Sequence, residues 1–101
     1  MVKPILKIKF TYTASKNFES AISYIRSDSV ENSEKIMNDM LLKIEEIASY
    51  PTKHPADKYK RNNDGTYRAF ELYHYRIVYR VLQKEIRIIR LRHTSMEPLD
   101  Y

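Results

Sequence analysis

Hydrophobic and polar positions alternate near the start of the chain. In residues 5–12 the apolar positions Ile8, Phe10 and Tyr12 are separated by lysines and a threonine. A period of two residues is typical of a β-strand with one buried face. Pro4 precedes the run, where a strand tolerates the missing N–H group. The pattern therefore predicts a first strand over residues 5–12.

The period then changes to the three or four residues of an amphipathic helix. A first helix is predicted over residues 14–27. Asp28 and Glu31 have the spacing of a capping box, which predicts the start of a second helix. That helix should end at Tyr50, because the following Pro51 disfavours the α conformation. The apolar stripes of the two helices contain Phe18, Ala21, Ile22 and Ile25, then Ile36, Met37, Met40, Leu41, Ile44, Ile47 and Ala48.

A polar loop over residues 50–66 contains the only glycine of the chain, Gly65. Three runs rich in β-branched and aromatic residues follow, and they predict strands over residues 67–73, 75–82 and 85–93. The order is β-α-α-β-β-β. It predicts one α+β domain over residues 1–101, with the helical hairpin packed on a small, mostly antiparallel sheet.

A two-residue turn at Gln83 and Lys84 fixes the pairing of the last two strands. This register sets Arg80 opposite Arg87, Val78 opposite Ile89, Arg76 opposite Leu91, and His74 opposite His93. One face then collects Arg76, Arg80, Arg87, His74 and His93. The other face is more apolar, carries Arg90 and Arg92 at one end, and is expected to pack on the helices. A three-residue turn would reverse this parity and scatter the basic cluster.

The positive charge is unevenly distributed. Residues 1–52 carry seven basic and seven acidic side chains, whereas residues 53–101 carry eleven basic and six acidic ones. This asymmetry suggests an anionic partner, either a nucleic acid or an acidic protein. The alternative is a merely basic surface.

Several classes of site are excluded or disfavoured. The chain has no cysteine, which excludes disulfides and thiolate metal centres, and one glycine cannot form a glycine-rich phosphate loop. The three histidines lack a carboxylate that completes a ligand set, so neither a metal nor a cofactor is expected. No apolar run is long enough to span a membrane, and the N-terminus does not have the pattern of a signal peptide. A cytoplasmic protein is expected.

The remaining chemistry is metal-free cleavage of RNA by its own 2′-hydroxyl. This reaction needs a base, a cation beside the phosphate and an acid for the leaving oxygen. Arginine suits the second role, and histidine or tyrosine suits the proton transfers. The candidates are Arg76, Arg80, His93, Tyr73, Tyr75 and Tyr101. The alternative is that the arginines are solvated and the tyrosines belong to the sheet.

Three segments, YRIVYRV (75–81), IRIIRLRHTSMEP (86–98) and IASYP (47–51), resemble the RelE/ParE superfamily of bacterial type II toxins. The resemblance covers nearly the whole chain. It implies a small α+β domain and a cognate antitoxin, whose acidic or amphipathic segment would cover the basic surface in a toxin–antitoxin hetero-oligomer. It also implies one of two targets, the ribosome with its mRNA or DNA gyrase.

Resemblance to the RelE-like branch implies a ribosome-dependent mRNA endonuclease, and this is the first hypothesis. The corresponding catalytic residues are Arg76, His93 and Tyr101. The corresponding RNA-binding residues are Lys58, Lys60 and Arg61. Arg68, Arg80 and Arg87 of the predicted sheet are expected to bind RNA with them.

Resemblance to the ParE-like branch implies an inhibitor of DNA gyrase that acts by protein binding, and this is the alternative hypothesis. The long helical hairpin is closer to that branch. Met96 also stands where the RelE-like motif often carries an arginine, three residues after the position of His93. An inactive relative that only binds the antitoxin is a third hypothesis.

Overall fold

The computed structural model describes residues 5–101. Its elements are β1 (Lys7–Phe10), α1 (Tyr12–Asp28), α2 (Val30–Ser49), β2 (Tyr67–Leu72), β3 (Tyr75–Val81) and β4 (Glu85–His93). The predicted order β-α-α-β-β-β and the α+β class are confirmed. Within the described part of the chain, no helix is long and apolar enough to cross a membrane.

The first strand is shorter than predicted because a helix cap follows it. The hydroxyl of Thr11 accepts a 3.0 Å hydrogen bond from the Ala14 N–H group. Such a cap satisfies one of the N–H groups that the first helical turn leaves free. Tyr12, predicted to belong to the strand, is therefore the first residue of α1.

The two helices are joined by a single residue, Ser29. Its N–H group donates to the carbonyl of Ile25 at 2.9 Å, and its hydroxyl accepts from the N–H group of Asn32 at 3.0 Å. Ser29 thus caps the end of α1 and the start of α2. The prediction that Asp28 caps the second helix is wrong, since Asp28 is the last residue of α1.

The sheet has the strand order β1-β4-β3-β2, and the helices pack on one of its faces. β1 runs parallel to β4, and the other pairs are antiparallel. The most buried side chains between sheet and helices are Met40, Ile44, Ile47, Ile77, Tyr79, Ile86 and Ile88.

The predicted register of β3 and β4 is right only near the turn. Arg80 lies opposite Arg87, as predicted, but the register shifts between Val78 and Tyr79. Ile89 has no partner on β3, which makes it the extra residue of a β-bulge. The predicted partners of Val78, Arg76 and His74 are therefore wrong. The observed pairs are Val78 with Arg90, Ile77 with Leu91, Arg76 with Arg92, and Tyr75 with His93.

Side chains near the start of α1 bond to backbone groups at the bulge and just after it, beyond the last pair of β1 and β4. The Thr11 hydroxyl donates to the carbonyl of Ile89 at 2.8 Å, and the amide oxygen of Asn17 accepts from the N–H group of Leu91 at 3.1 Å. The bulge changes which residues share a face, because directly opposite residues point the same way. Arg90 and Arg92, predicted on the helix-facing side, lie on the other face, which we call the outer face.

Candidate functional site

A buried carboxylate, Asp57, lies beside the outer face and joins three parts of the chain. Its side chain is fully buried and accepts a 2.7 Å hydrogen bond from Nη2 of Arg76 on β3. Its other oxygen accepts a 2.6 Å bond from the hydroxyl of Tyr101. The N–H group of Tyr59 donates at 3.2 Å to the same oxygen that binds Arg76. The structure therefore brings two of the predicted catalytic residues, Arg76 and Tyr101, to one acidic partner.

The loop over residues 50–66 holds Asp57 in place through its backbone. The Asp57 N–H group donates to the carbonyl of Tyr67 at 2.8 Å, and its own carbonyl accepts from the side chain of Asn63 at 3.3 Å. Ala56 forms an isolated β-bridge to Arg68. The loop thus runs along β2 and places the Asp57 carboxylate beside Arg76 of β3.

Arg76 has a second acidic partner and little exposure. Its Nη1 lies 3.1 Å from a carboxylate oxygen of Glu71 on β2, and 19% of its side chain is exposed. Its guanidinium also lies over the ring of Tyr59, 5.0 Å from the ring centre. Arg76 stands opposite Arg92, a like-charge pair that costs stability unless anions lie nearby. Glu71 and Asp57 supply that compensation within the chain.

The pKa values of the Asp57 and Tyr101 side chains follow from this arrangement. Burial raises the pKa of the Asp57 carboxyl, but the bonds from Tyr101 and Arg76 outweigh burial and leave it lower than its ordinary value. Burial and the Asp57 carboxylate raise the pKa of the Tyr101 hydroxyl well above its ordinary value, although Arg90 opposes them. Near neutral pH, Asp57 is therefore charged, and Tyr101 keeps the proton that it donates.

A cavity of about 70 Å³ opens beside this network on the outer face. It is lined by Asp57, Tyr59, Glu71, Arg76, Val78, Arg90, Arg92, His93, Thr94, Met96, Pro98 and Leu99. Arginines, carboxylates and apolar side chains thus meet in one small concave surface. It lies between the loop over residues 50–66, the strands β2 to β4 and residues 94–99.

His93 lines this cavity but does not share the face of Arg76, contrary to the prediction. The bulge pairs it with Tyr75, and the two rings meet edge to face with centres 5.0 Å apart. Nδ1 of His93 lies 2.7 Å from the hydroxyl of Ser95. The ring of His74 is 6.4 Å away, between centres. His93 can reach the cavity because it is the last residue of β4.

The structure places the residues predicted to bind RNA in different parts of the molecule. Lys60 and Arg61 lie near Tyr101, since Nζ of Lys60 and the N–H group of Arg61 approach its main-chain oxygen at 3.5 and 2.6 Å. Lys58 lies over the ring of Tyr59, at 5.2 Å from the ring centre.

Arg80 and Arg87 lie on the outer face as predicted, since they are directly opposite each other. Nε of Arg80 donates to the hydroxyl of Thr66 at 3.2 Å, and Nε of Arg87 lies 3.3 Å from a carboxylate oxygen of Glu85. Arg68 is elsewhere, because it stands opposite the buried Tyr79. Its Nη1 donates to main-chain carbonyls of the loop, which indicates a structural role in holding that loop.

Tyrosine rings alternate with cations on the outer face. The guanidinium of Arg80 lies over the ring of Tyr67 at 4.8 Å, and that of Arg90 over the ring of Tyr101 at 3.9 Å, measured to the ring centres. The ammonium of Lys60 is about equally close to both rings, at 5.0 and 5.3 Å. These contacts keep the cations in fixed positions without neutralising them.

Sequence reasoning missed Asp57 as a site residue and placed Arg90 and Arg92 on the wrong face. Asp57 lies in a polar loop, where an aspartate is ordinarily a solvated turn residue. One sequence signal was available, since Asp57 is among the few acidic residues in a strongly basic half of the chain.

Among residues 5–101, no group of three or more potential side-chain ligands is placed to hold a metal ion.

Comparison with known proteins gives a family and a fold. The family described as "ParE toxin of type II toxin-antitoxin system, parDE" matches residues 8–98. A search of curated proteins finds no significant match. The chain resembles a solved structure of the chromosomal ParDE toxin–antitoxin system from P. aeruginosa, with a TM-score of 0.67 and 17% identity over 88% of this chain and 96% of that one.

Two further solved structures share the fold. One is the RelBE2 toxin–antitoxin complex from Mycobacterium tuberculosis, with a TM-score of 0.59 and 16% identity over 94% of this chain and 98% of that one. The other is a conserved hypothetical protein from Helicobacter pylori, with a TM-score of 0.57 and 20% identity over 90% and 97%. The match over residues 8–98 carries the assignment: this chain belongs to the ParE toxin family of type II toxin–antitoxin systems.

Proposed function

We propose that this toxin inhibits DNA gyrase by binding it, without hydrolysing RNA. The observation that carries the proposal is the pairing of Arg76 with Asp57 and Glu71, at 2.7 and 3.1 Å. A cation that stabilises a phosphorane-like transition state must present its guanidinium to the phosphate. Here the forked end of Arg76 already binds two carboxylates, so it is not free to bind a phosphate.

The state of Tyr101 supports the same proposal. Its hydroxyl donates to Asp57, and its pKa is raised by burial and by that carboxylate. A general base needs a pKa close to the working pH and a free lone pair directed at the substrate. Tyr101 fits a structural role better than a role in proton transfer.

A cognate antitoxin is the proposed partner of the chain. Solved structures of similar fold from P. aeruginosa and M. tuberculosis are described as toxin–antitoxin systems or complexes. The positive charge of residues 53–101 favours an acidic or amphipathic antitoxin segment along the sheet in a hetero-oligomer. The cytoplasm, where gyrase and ribosomes work, is the proposed location.

Ribosome-dependent mRNA cleavage is the second candidate function, and the composition of the cavity favours it. Arg90, Arg92 and His93 line the same cavity as Arg76. Among the described residues, neither Arg90 nor Arg92 has a carboxylate within ion-pair distance. In this candidate function, Arg76 and its neighbours would stabilise the phosphate and His93 would move a proton.

Two assays on the purified chain distinguish the candidates. We expect the chain to abolish ATP-dependent supercoiling of relaxed plasmid by gyrase. We also expect it to leave the mRNA intact in a cell-free translation reaction, as read by primer extension. New mRNA 5′ ends inside translated codons, with supercoiling unaffected, would overturn the proposal in favour of cleavage.

Heat-denatured chain is the control for both assays. Titration with the cognate antitoxin should restore supercoiling at a fixed molar ratio. If neither assay responds to the folded chain, the gyrase proposal fails and the third hypothesis, a relative that only binds the antitoxin, gains support.

A further inference from the structure

The residues after β4 form an extended segment that is attached at its far end. Residues 94–100 are exposed and have no regular secondary structure, whereas Tyr101 is half-buried. The N–H group of Tyr101 donates to the carbonyl of Tyr59 at 3.1 Å, and its carbonyl accepts from Arg61. We call residues 94–101 the strap.

The strap lies over the two arginines that the bulge brings to the outer face. Nε of Arg92 donates to the main-chain carbonyl of Glu97 at 3.0 Å. The guanidinium of Arg90 stacks on the ring of Tyr101 at 3.9 Å. Met96 and Leu99 form part of the wall of the 70 Å³ cavity that both arginines line. Each guanidinium therefore has a neutral partner, and the strap supplies both.

A side-chain hydrogen bond of Tyr101 closes the strap, in addition to the two backbone bonds of that residue. The Tyr101 hydroxyl bonds to Asp57, which Arg76 and the backbone of the loop hold in place. The seven residues before Tyr101 are exposed, and they are attached through the bonds of Thr94 to His74 and of Glu97 to Arg92 as well as at Tyr101 itself. Loss of this bond removes the strongest contact at the end of the strap, because bonds to a buried charge are the strong ones.

We propose that the strap is a lid over a phosphate-binding site formed by Arg90 and Arg92, and that the bond between Tyr101 and Asp57 is its lock. A carbonyl oxygen and an aromatic ring are weaker partners for guanidinium than a phosphate group, which binds arginine bidentately. When the strap opens, the two arginines lose the Glu97 carbonyl and the Tyr101 ring as partners and can bind a phosphate group in their place. The inference goes beyond the proposed gyrase inhibition, since it concerns which anion the chain itself binds and how access is controlled.

The experiment compares wild-type chain with Tyr101→Phe, using pyrophosphate as the probe. Phenylalanine keeps the ring against Arg90 and Tyr67 but removes the lock. NMR would follow amide hydrogen exchange at positions 61 and 101 and the side-chain Nε–H signals of Arg90 and Arg92. We expect exchange at least about tenfold faster in Tyr101→Phe, because its closed state is less populated. We expect pyrophosphate binding about fivefold tighter, because closure lowers the apparent affinity of a covered site.

Three variants make the outcome decisive. Tyr12→Phe removes a hydroxyl from an exposed tyrosine on α1 and should match wild type in both measurements. Leu99→Ala loosens the strap without touching its lock and should shift both measurements in the same direction as Tyr101→Phe. Adding Arg90→Gln to Tyr101→Phe should abolish the gain in pyrophosphate affinity.

Unchanged exchange in both Tyr101→Phe and Leu99→Ala would show that the bond does not hold the strap. Faster exchange without tighter binding would show that no phosphate site lies beneath it. Either result would overturn the inference. Neither measurement contains gyrase, so failure here is distinguishable from failure of the proposed function.

Discussion

The hydroxyl of Tyr101 donates a 2.6 Å hydrogen bond to a carboxylate oxygen of Asp57, which lies 44 positions earlier in the chain. The same carboxylate accepts from Arg76 on the central strand β3. One buried charge therefore connects the loop over residues 50–66, the sheet and the strap. The position of Arg76, the shape of the cavity and the closure of the strap all depend on this group.

Removing Asp57, the buried partner of Arg76, should lower the free energy of unfolding far more than removing Glu71, its exposed partner. Asp57→Ala leaves Nη2 of Arg76 and the Tyr101 hydroxyl without their acceptor, and we expect a loss of about 3–5 kcal/mol in the free energy of unfolding. Glu71 bonds the same arginine but is 54% exposed. Glu71→Ala should cost less than about 1 kcal/mol. Urea denaturation followed by circular dichroism gives both values.

A double-mutant cycle on Asp57 and Arg76 tests whether the pair acts as a unit. Arg76→Ala alone leaves Asp57 charged and buried, so we expect the double variant Asp57→Ala/Arg76→Ala to lose less than the sum of the single losses. Simple additivity, within the error of the two single variants, would contradict the view that Asp57 and Arg76 stabilise each other.

The secondary structure could be predicted because each element carries its own periodic pattern. The two-residue turn at Gln83 and Lys84 also predicts the pair Arg80 and Arg87, which the structure confirms. The bulge at Ile89 could not be predicted, since no glycine or proline marks it and its partners, Thr11 and Asn17, lie 78 and 74 positions from Ile89 and Leu91. A single unmarked residue therefore decided which face carries Arg90, Arg92 and His93.

Mutations in the predicted core should separate buried from exposed positions on the same helix. Ile44 is 2% exposed, and Leu42, two positions earlier on α2, is 63% exposed. We expect Ile44→Ala to lower the free energy of unfolding by about 2–5 kcal/mol, because it leaves a cavity in the core. Leu42→Ala should change it by less than about 0.5 kcal/mol. Equal losses in urea denaturation would contradict the packing of α2 on the sheet.

Acidification should destabilise the chain through His54. Burial, and then the charges of Lys43 and Lys53, lower the pKa of the His54 ring below its ordinary 6.5. Its ring stacks on Phe70 with centres 4.7 Å apart, and its Nε2 is buried without a hydrogen-bond partner. In the unfolded chain, His54 takes up a proton at about pH 6.5, whereas in the folded chain it takes up the proton only at a lower pH.

The free energy of unfolding should therefore stay level above about pH 6.5 and decline as the pH falls from there towards the lower pKa of the folded state. His54→Phe keeps the stacking on Phe70 and removes the titrating group. Denaturation midpoints measured at intervals between about pH 7.5 and 5 should decline less steeply for His54→Phe than for wild type. Parallel curves for the two proteins would show that another group is responsible.

The hairpin between β2 and β3 contains strain that a single glycine should relieve. Leu72 pairs with Tyr75, so Tyr73 and His74 form a two-residue turn, and both have positive φ angles, 52° and 66°. Turns of this kind favour glycine at the second position, because a side chain in the left-handed region is disfavoured. The hydroxyl of Tyr73 bonds to Lys35 and Asp39 on α2, which ties the turn to the helix and makes Tyr73 the residue to keep. We therefore expect His74→Gly to raise the free energy of unfolding by about 0.5–1 kcal/mol, because the relief of strain exceeds the extra entropy of the unfolded chain. Urea denaturation measures this change.

Asn62 is the matched control, because it also has a positive φ angle of 52°, yet asparagine tolerates that region. Asn62→Gly should leave the stability nearly unchanged, and a larger gain there than at His74 would contradict this explanation of the turn.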